Sequence, residues 1–296
     1  MATLYTHKDK NIRKTWFWMS IFFVGIIFLG YVVAVVFDEP AILPLAVVYS
    51  VFSSFASYWW SDKIVLAMTG AKQVTKETSP ELVQIVENLA ITAGLPTPRV
   101  YILQESGMNA FATGRNPEHA AIAVTTGLLN TLDRSELEGV LAHELSHIGN
   151  RDILLSTMVV IMAGTIALVS DLFFRFRFFG GGNRNNNNAG GALALVGLVL
   201  LILAPIAATM IQLAISRKRE FLADSAGALL TRYPEGLASA LQKISANASV
   251  AKASKSTAHL FFASPFKKRS FAKLFSTHPP IEERVQVLLE GGNVQH

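Results

Sequence analysis

Long apolar runs alternate with charged, broken stretches along the chain, and this alternation predicts its architecture. A basic head with Lys8, Lys10, Arg13 and Lys14 leads into Trp16 to Phe37, a run without charge that is long enough to cross a bilayer as a helix. It outlasts the core of a signal peptide and no small-residue cleavage site follows it, so it reads as an uncleaved anchor. A second uncharged run, Ala41 to Trp60, returns after only a few residues and ends on Tyr58, Trp59 and Trp60, which suit a membrane interface. Gly25, Gly30, Ser53, Ser54 and Ser57 offer small surfaces for close packing within this hairpin. Two further uncharged runs, Ile153 to Ser170 and Ala189 to Ser216, predict a second hairpin, kinked at Pro205. The glycine- and asparagine-rich tract Gly180 to Gly191 lies between them as an exposed loop.

From Ser61 to Asp152 the apolar runs shorten and charge rises. Ser79-Pro80-Glu81 starts a helix whose face carries Leu82, Ile85, Val86, Leu89 and Ala90, with Gly94 as its stop. Strand-like runs follow at Arg99 to Leu103, Asn109 to Thr113 and Ala120 to Thr126, a small sheet. After Ser216 come a charged helix around Glu220, an alanine-rich helix over Pro234 to Asn247, and a basic aromatic stretch from Phe266 to Phe275 that reads as a solvated loop or a headgroup contact. A last helix opens at Pro280. The expected organisation is a hairpin over residues 1–60 (spans about 16–37 and 41–60), the first part of a water-exposed domain over 61–152, a second hairpin over 153–216 (spans about 153–170 and 190–214), and the rest of that domain over 217–296. The fold class is a mainly α membrane protein with four transmembrane helices and an α+β domain.

Composition sharpens this picture. Hydrophobic residues make up 51% of the 296 and mean hydropathy is +0.38, both high for a soluble domain. With no cysteine there is no disulfide framework and no thiolate metal site. The net charge of +5 comes without a nucleic-acid motif and collects beside the apolar runs, so anionic lipid is its natural partner.

The chemistry lies in Leu141-Ala142-His143-Glu144-Leu145-Ser146-His147-Ile148. Histidines at i and i+4 share a helix face, so both imidazoles reach one zinc ion and Glu144 lies beside the open coordination position as a general base. Ser135 and Glu138 have capping-box spacing, and Gly149 is a plausible stop. A catalytic zinc takes three protein ligands. Glu220 is the candidate third, with Asp224 on the same helix face to accept a hydrogen bond from a ligand histidine; an ordinary salt-bridged helix is the alternative.

His143-Glu144-x-x-His147, then Glu220-x-x-x-Asp224, then His278-Pro279-Pro280 resembles, over nearly the whole chain, the HtpX family of integral-membrane zinc endopeptidases, relatives of the prenyl-protein proteases. The resemblance implies a zincin-like (gluzincin) catalytic domain with one Zn2+ per chain on His143, His147 and Glu220. It places Asn109, Ala110, Phe111 and Ala112 in the active-site wall, Asn109 as a substrate or oxyanion contact where a plain turn asparagine is the alternative. It brings His278 or Arg284 to the site, His278 as a catalytic oxyanion donor. It further implies a multi-pass protein of the bacterial inner membrane that cleaves damaged or misfolded membrane proteins at the cytoplasmic face under stress. Functional overlap with an ATP-dependent membrane protease comes with it.

Spacing places the motif at the membrane surface, since His147 precedes the third run by about six residues and Glu220 follows the fourth by about four, roughly 10 Å of helix at most. Basic residues near most span ends favour a cytoplasmic active site, although Arg175, Arg177 and Arg184 fall in the loop assigned to the far side. A zinc site inside the bilayer is excluded by Asp133, Arg134, Glu136, Glu138, Arg151 and Asp152 around the motif. A non-catalytic zinc-binding scaffold leaves Glu144 unexplained. A membrane aminopeptidase needs an acidic anchor for the substrate amine, which no motif supplies, and a transporter needs polar groups that these runs lack apart from Gln212.

Overall fold

A computed structural model describes residues 4–159, 161–162, 165–166, 217–247 and 280–292. The fourth apolar run, the glycine- and asparagine-rich tract, the basic aromatic stretch and His278 lie outside the described residues.

Two long helices open the chain, α1 (Leu4–Phe37) and α2 (Ile42–Trp59), and within them Ile12–Val35 and Ile42–Trp59 are long and apolar enough to cross a membrane. Asp38 turns the corner in the left-handed conformation, which a short polar side chain tolerates. The helices approach closely where Gly30 faces Ala46, so close that a Cβ at position 30 would collide with the Ala46 methyl. Ser50 is buried at this seam and its hydroxyl donates to the Phe23 carbonyl at 3.0 Å. Phe17, Val24, Phe28, Val48, Phe52 and Phe55 face outward, as lipid-facing residues do. The chain is helical again over 152–159, and Leu154, Leu155, Met158, Val159 and Met162 pack against Met19, Phe22 and Ile26 of α1. The described start of the third run is thus a helix laid against the first.

Between these pieces, α3 (Ser61–Thr69) leads to β1 (Lys72–Val74), α4 (Pro80–Thr92), β2 (Arg99–Leu103), β3 (Ala110–Thr113), β4 (Ala121–Thr125), α5 (Thr126–Thr131) and α6 (Arg134–Gly149). The sheet order is β1-β2-β4-β3, with β2 and β4 parallel and both outer pairs antiparallel. β1 is short and mostly exposed, an edge defined by its pairing with β2, and its sequence carries no strand pattern. The central strands are covered on both faces, which explains their near-continuous apolar reading. Val100, Ala110, Ala112, Ile122 and Val124 join a core with α4 and α6, while Tyr101, Leu103, Phe111, Ala121 and Ala123 pack with Val65, Leu66 and Ile161.

The capping box of α6 is Asp133 with Glu136, not Ser135 with Glu138. The Asp133 carboxylate accepts from the Glu136 N–H and the Glu136 carboxylate accepts from the Asp133 N–H, both at 2.9 Å, which starts the helix two residues earlier. Ser135 instead donates to Asp133, and Glu138 pairs with Arg134 one turn away. Two helices pack on α6, namely α7 (Arg217–Thr231) and α8 (Pro234–Asn247), and α9 (Ile281–Gly292) closes against both. Glycine permits the closest approaches: a Cβ on Gly139 would meet the Leu237 backbone at 2.7 Å, and one on Gly227 would meet the His143 backbone nitrogen at 3.0 Å.

Candidate functional site

The contact at Gly227 decides the site. Because α7 crosses α6 backbone to backbone at Ala142 and His143, the residues one and two turns before Gly227 hang over the histidine face. His143 Nε2 and His147 Nε2 stand 3.1 Å apart, and the Glu220 carboxylate oxygens lie 3.8 Å and 3.7 Å from them. Ligands held tetrahedrally at about 2.0–2.2 Å from zinc stand roughly 3.3–3.6 Å apart. The three donor atoms therefore frame a volume of the right size for one small cation, and their nitrogen and oxygen chemistry suits zinc.

Each imidazole is fixed from behind by a carboxylate that is itself held by arginine. His143 Nδ1 donates to Asp224 Oδ1 at 2.9 Å. Arg284, fully buried on α9, grips the same carboxylate through Nε at 2.8 Å and Nη2 at 2.6 Å, and its Nη1 lies 3.7 Å from Glu220. His147 Nδ1 contacts Asp152 Oδ2 at 3.2 Å, and Arg219 stands 3.6 Å from the other Asp152 oxygen. Such partners set tautomer and ring orientation.

The electrostatics follow from burial and these partners. Burial and the neighbouring His147 charge push His143 down to about 4 against the pull of Asp224. Burial lowers His147 too, but the Asp152 hydrogen bond and the charges of Glu220 and Glu144 hold it up at about 9. Burial raises Glu144 to about 7, with the Glu220 charge adding to the rise and the His147 charge opposing it. The Ala112 backbone N–H hydrogen-bonds to the Glu144 carboxylate. That bond is available because β3 is an edge strand. The Thr125 N–H donates to the Asn109 carbonyl, which sets the ladder so that Phe111 and Thr113 bond toward β4 while Ala110 and Ala112 turn their N–H and C=O groups to the edge without a partner strand among the described residues. A carboxyl poised near neutrality beside the last strand of a sheet and a three-donor cation site can move a proton for a substrate that pairs with that strand.

The profile of Peptidase family M48 matches residues 76–291. The chain belongs to peptidase family M48. Curated relatives named "Protease HtpX homolog" include one from Caldanaerobacter subterraneus subsp. tengcongensis, 47% identical with 97% of each chain covered. Another, from Dictyoglomus turgidum, is 42% identical over 97% of this chain and 94% of its own. Among solved structures, the crystal structure of S. mikatae Ste24p matches with a TM-score of 0.51 at 17% identity, covering 93% of this chain and 66% of that one, a likeness of fold. The M48 family, the HtpX relatives and the two apolar helices together make the chain a membrane metalloprotease, and the family implies a metal, usually zinc. The histidine, histidine and glutamate cluster is where this M48 chain has the donors to hold one.

Of the residues singled out from the sequence, the fold gathers His143, Glu144, His147, Glu220, Asp224 and Arg284 into one group, all buried except His147, which is partly exposed. Asn109 is buried just before β3, its N–H bonded to the Thr125 hydroxyl at 2.9 Å. Ala110 lies on the α6 side of the sheet, whereas the Phe111 ring packs on the opposite side with Val65 and Leu66. Sequence reasoning missed Asp152 and Arg219. On a straight helix Asp152 would not face His147, five residues back. Arg151 breaks α6 with φ 57°, and the break brings the Asp152 carboxylate to the ring. A positive-φ arginine has no sequence signature, so Asp152 read only as one more charge beside the motif.

Proposed function

We propose that the chain is a membrane-bound zinc-dependent endopeptidase in which His143, His147 and Glu220 hold one zinc ion and Glu144 is the general base. The observation that carries this reading is the meeting of three donor atoms at one point beside a buried carboxyl that the Ala112 N–H fixes in place. Zinc in such a site supplies a Lewis acid that polarises a carbonyl and makes water acidic near neutral pH. Glu144 takes a proton from the attacking water and returns it to the departing amine. Asp224 and Asp152 hold the two imidazoles in the tautomer that presents Nε2; Arg284 keeps the Asp224 carboxylate charged and in place, and Arg219 stands beside the Asp152 carboxylate.

Ala110 and the Ala112 carbonyl offer backbone groups to an extended substrate, a mode that tolerates many side chains and suits damaged or misfolded membrane proteins. Asn109 adjoins that edge, and His278 is assigned to the oxyanion on the strength of its motif. The reading also comprises four spans with the domain limits given above, a cytoplasmic active site and residence in the bacterial inner membrane. Basic residues at the span ends, and the placing of the apolar runs on either side of the metal motif in the sequence, support it.

The test is cleavage of an unstructured protein by detergent-purified wild type and Glu144→Gln, with zinc measured on both. Turnover in the wild type alone, with about one zinc in each, is the expected result. Equal turnover by the variant would remove Glu144 from its role.

A further inference from the structure

The carboxyl end of α2 carries a second concave site, well separated in character from the metal cluster. A cavity of about 540 Å³ opens where α2 gives way to α3, a size within the roughly 300–1,000 Å³ of small-ligand sites. Its apolar wall is Phe55, Trp59 and Trp60. Lys63, Arg99 and Arg115 bring positive charge, against Asp62 and Glu118.

These cations are not equivalent. Arg99 is committed to the buried Asp62 carboxylate, an ion pair that ties β2 to α3. Among the described residues Lys63 has no ion-pair partner, and it is exposed. Arg115 is held ready: its guanidinium lies 4.8 Å over the Trp59 ring, donates to the Trp59 carbonyl at 2.9 Å and contacts His119 Nε2 at 2.6 Å. The His119 ring is itself oriented by Asn116 at 2.7 Å. Only two of the five guanidinium N–H groups are engaged this way, so donors remain for an anionic oxygen.

The apolar wall does not end at the cavity. Val48, Phe52, Phe55 and Trp59 recur at spacings of four, three and four along α2 and all are strongly exposed, so an apolar stripe runs from the cavity down the candidate span. A ligand that fits must place an anion between Lys63 and Arg115 and a long apolar body on α2. We propose that this is a binding site for an anionic phospholipid, with its phosphodiester on Lys63 and Arg115 and its acyl chains along the Val48–Trp59 stripe. Guanidinium hydrogen bonding recognises the phosphodiester, and the tryptophans mark the depth of the headgroups. The site rests on α2 being a membrane span and is independent of the proteolytic mechanism.

Native mass spectrometry of the full chain, released from detergent micelles doped with phosphatidylglycerol or phosphatidylcholine, tests it. The wild type retains phosphatidylglycerol in preference, and Lys63→Gln or Arg115→Gln weakens that retention about tenfold, the worth of one charge-assisted hydrogen bond. Glu118→Gln, which removes a negative charge from the same wall, strengthens it, a gain that a merely damaged protein does not show. Lys76→Gln, an equal change of net charge outside this cavity, leaves it unaltered. Equal retention of the two lipids, indifference to Lys63 and Arg115, or an equal loss in the Lys76 variant would each overturn the proposal. Displacement of the lipid by millimolar inorganic phosphate would make this a free-anion site and overturn it as well.

Discussion

Replacing Arg284 with methionine removes the outermost member of the His143–Asp224–Arg284 chain while keeping an unbranched apolar stem in its place. All three residues are at most 1% exposed, so the two hydrogen bonds at 2.8 Å and 2.6 Å are made away from water. Burial alone would raise the Asp224 carboxyl; Arg284, with help from His143, reverses that and holds it below its ordinary value. Taking one partner from a buried ion pair costs about 3–5 kcal/mol, because the other charge stays buried without compensation. For a domain of about 150–250 residues each kcal/mol lowers Tm by roughly 2–4 °C, so Arg284→Met should unfold at least about 6 °C lower. The second consequence is local. With Arg284 gone Asp224 takes up a proton more readily, His143 loses its charged acceptor, and zinc affinity falls about 10–100-fold. The assay is thermal unfolding of the detergent-solubilised protein together with zinc retention against a graded chelator. Adding Asp224→Asn removes the stranded charge, so the double variant should recover part of the Tm but none of the zinc affinity. A single variant with unchanged Tm and zinc retention would refute the reasoning.

Asp152→Asn, at the other imidazole, should weaken zinc binding about 10–100-fold by removing the acceptor behind His147, and should lower Tm as well because the buried Arg219 loses its carboxylate partner, both measured by the same assays. Gly227→Ala adds a methyl 3.0–3.3 Å from the His143 and Ala142 backbone, which forces α7 off α6; about 1–3 kcal/mol of stability should be lost, and zinc affinity with it. For Glu136, burial raises the carboxyl but Lys243 at 2.7 Å and Ser239 at 2.6 Å outweigh it, so the folded value lies below the ordinary 4.5. Its stabilising contribution is therefore complete above the unfolded value of about 4.5 and is lost as pH falls through the folded value. Tm measured down through acid pH should fall less steeply in Glu136→Gln than in the wild type, and parallel curves would exclude this linkage.

Local pattern was enough wherever function depends on neighbours in the chain. The i, i+4 histidines, the Pro80 start, the Pro234–Asn247 helix and the β2 limits were all readable, because helix and strand periodicities write themselves into apolar spacing. Spacing alone leaves Glu220 a candidate, since no spacing rule joins residues separated by more than seventy positions; the resemblance assigns it, and Gly227 lets α7 lie against His143 and bring it there. The capping box was misplaced by two residues because Asp133 and Ser135 both qualify as caps and only backbone geometry chooses between them. Sequence by itself thus determined the membrane character, the zinc-type motif and the elements that carry it. Only the tertiary structure decided that Asp224 with Arg284 stands behind His143 and Asp152 with Arg219 behind His147, that the Ala112 N–H meets Glu144, and that a cationic cavity caps α2. Each of these arises where separate elements cross, and a crossing is fixed by packing that no single stretch of chain contains.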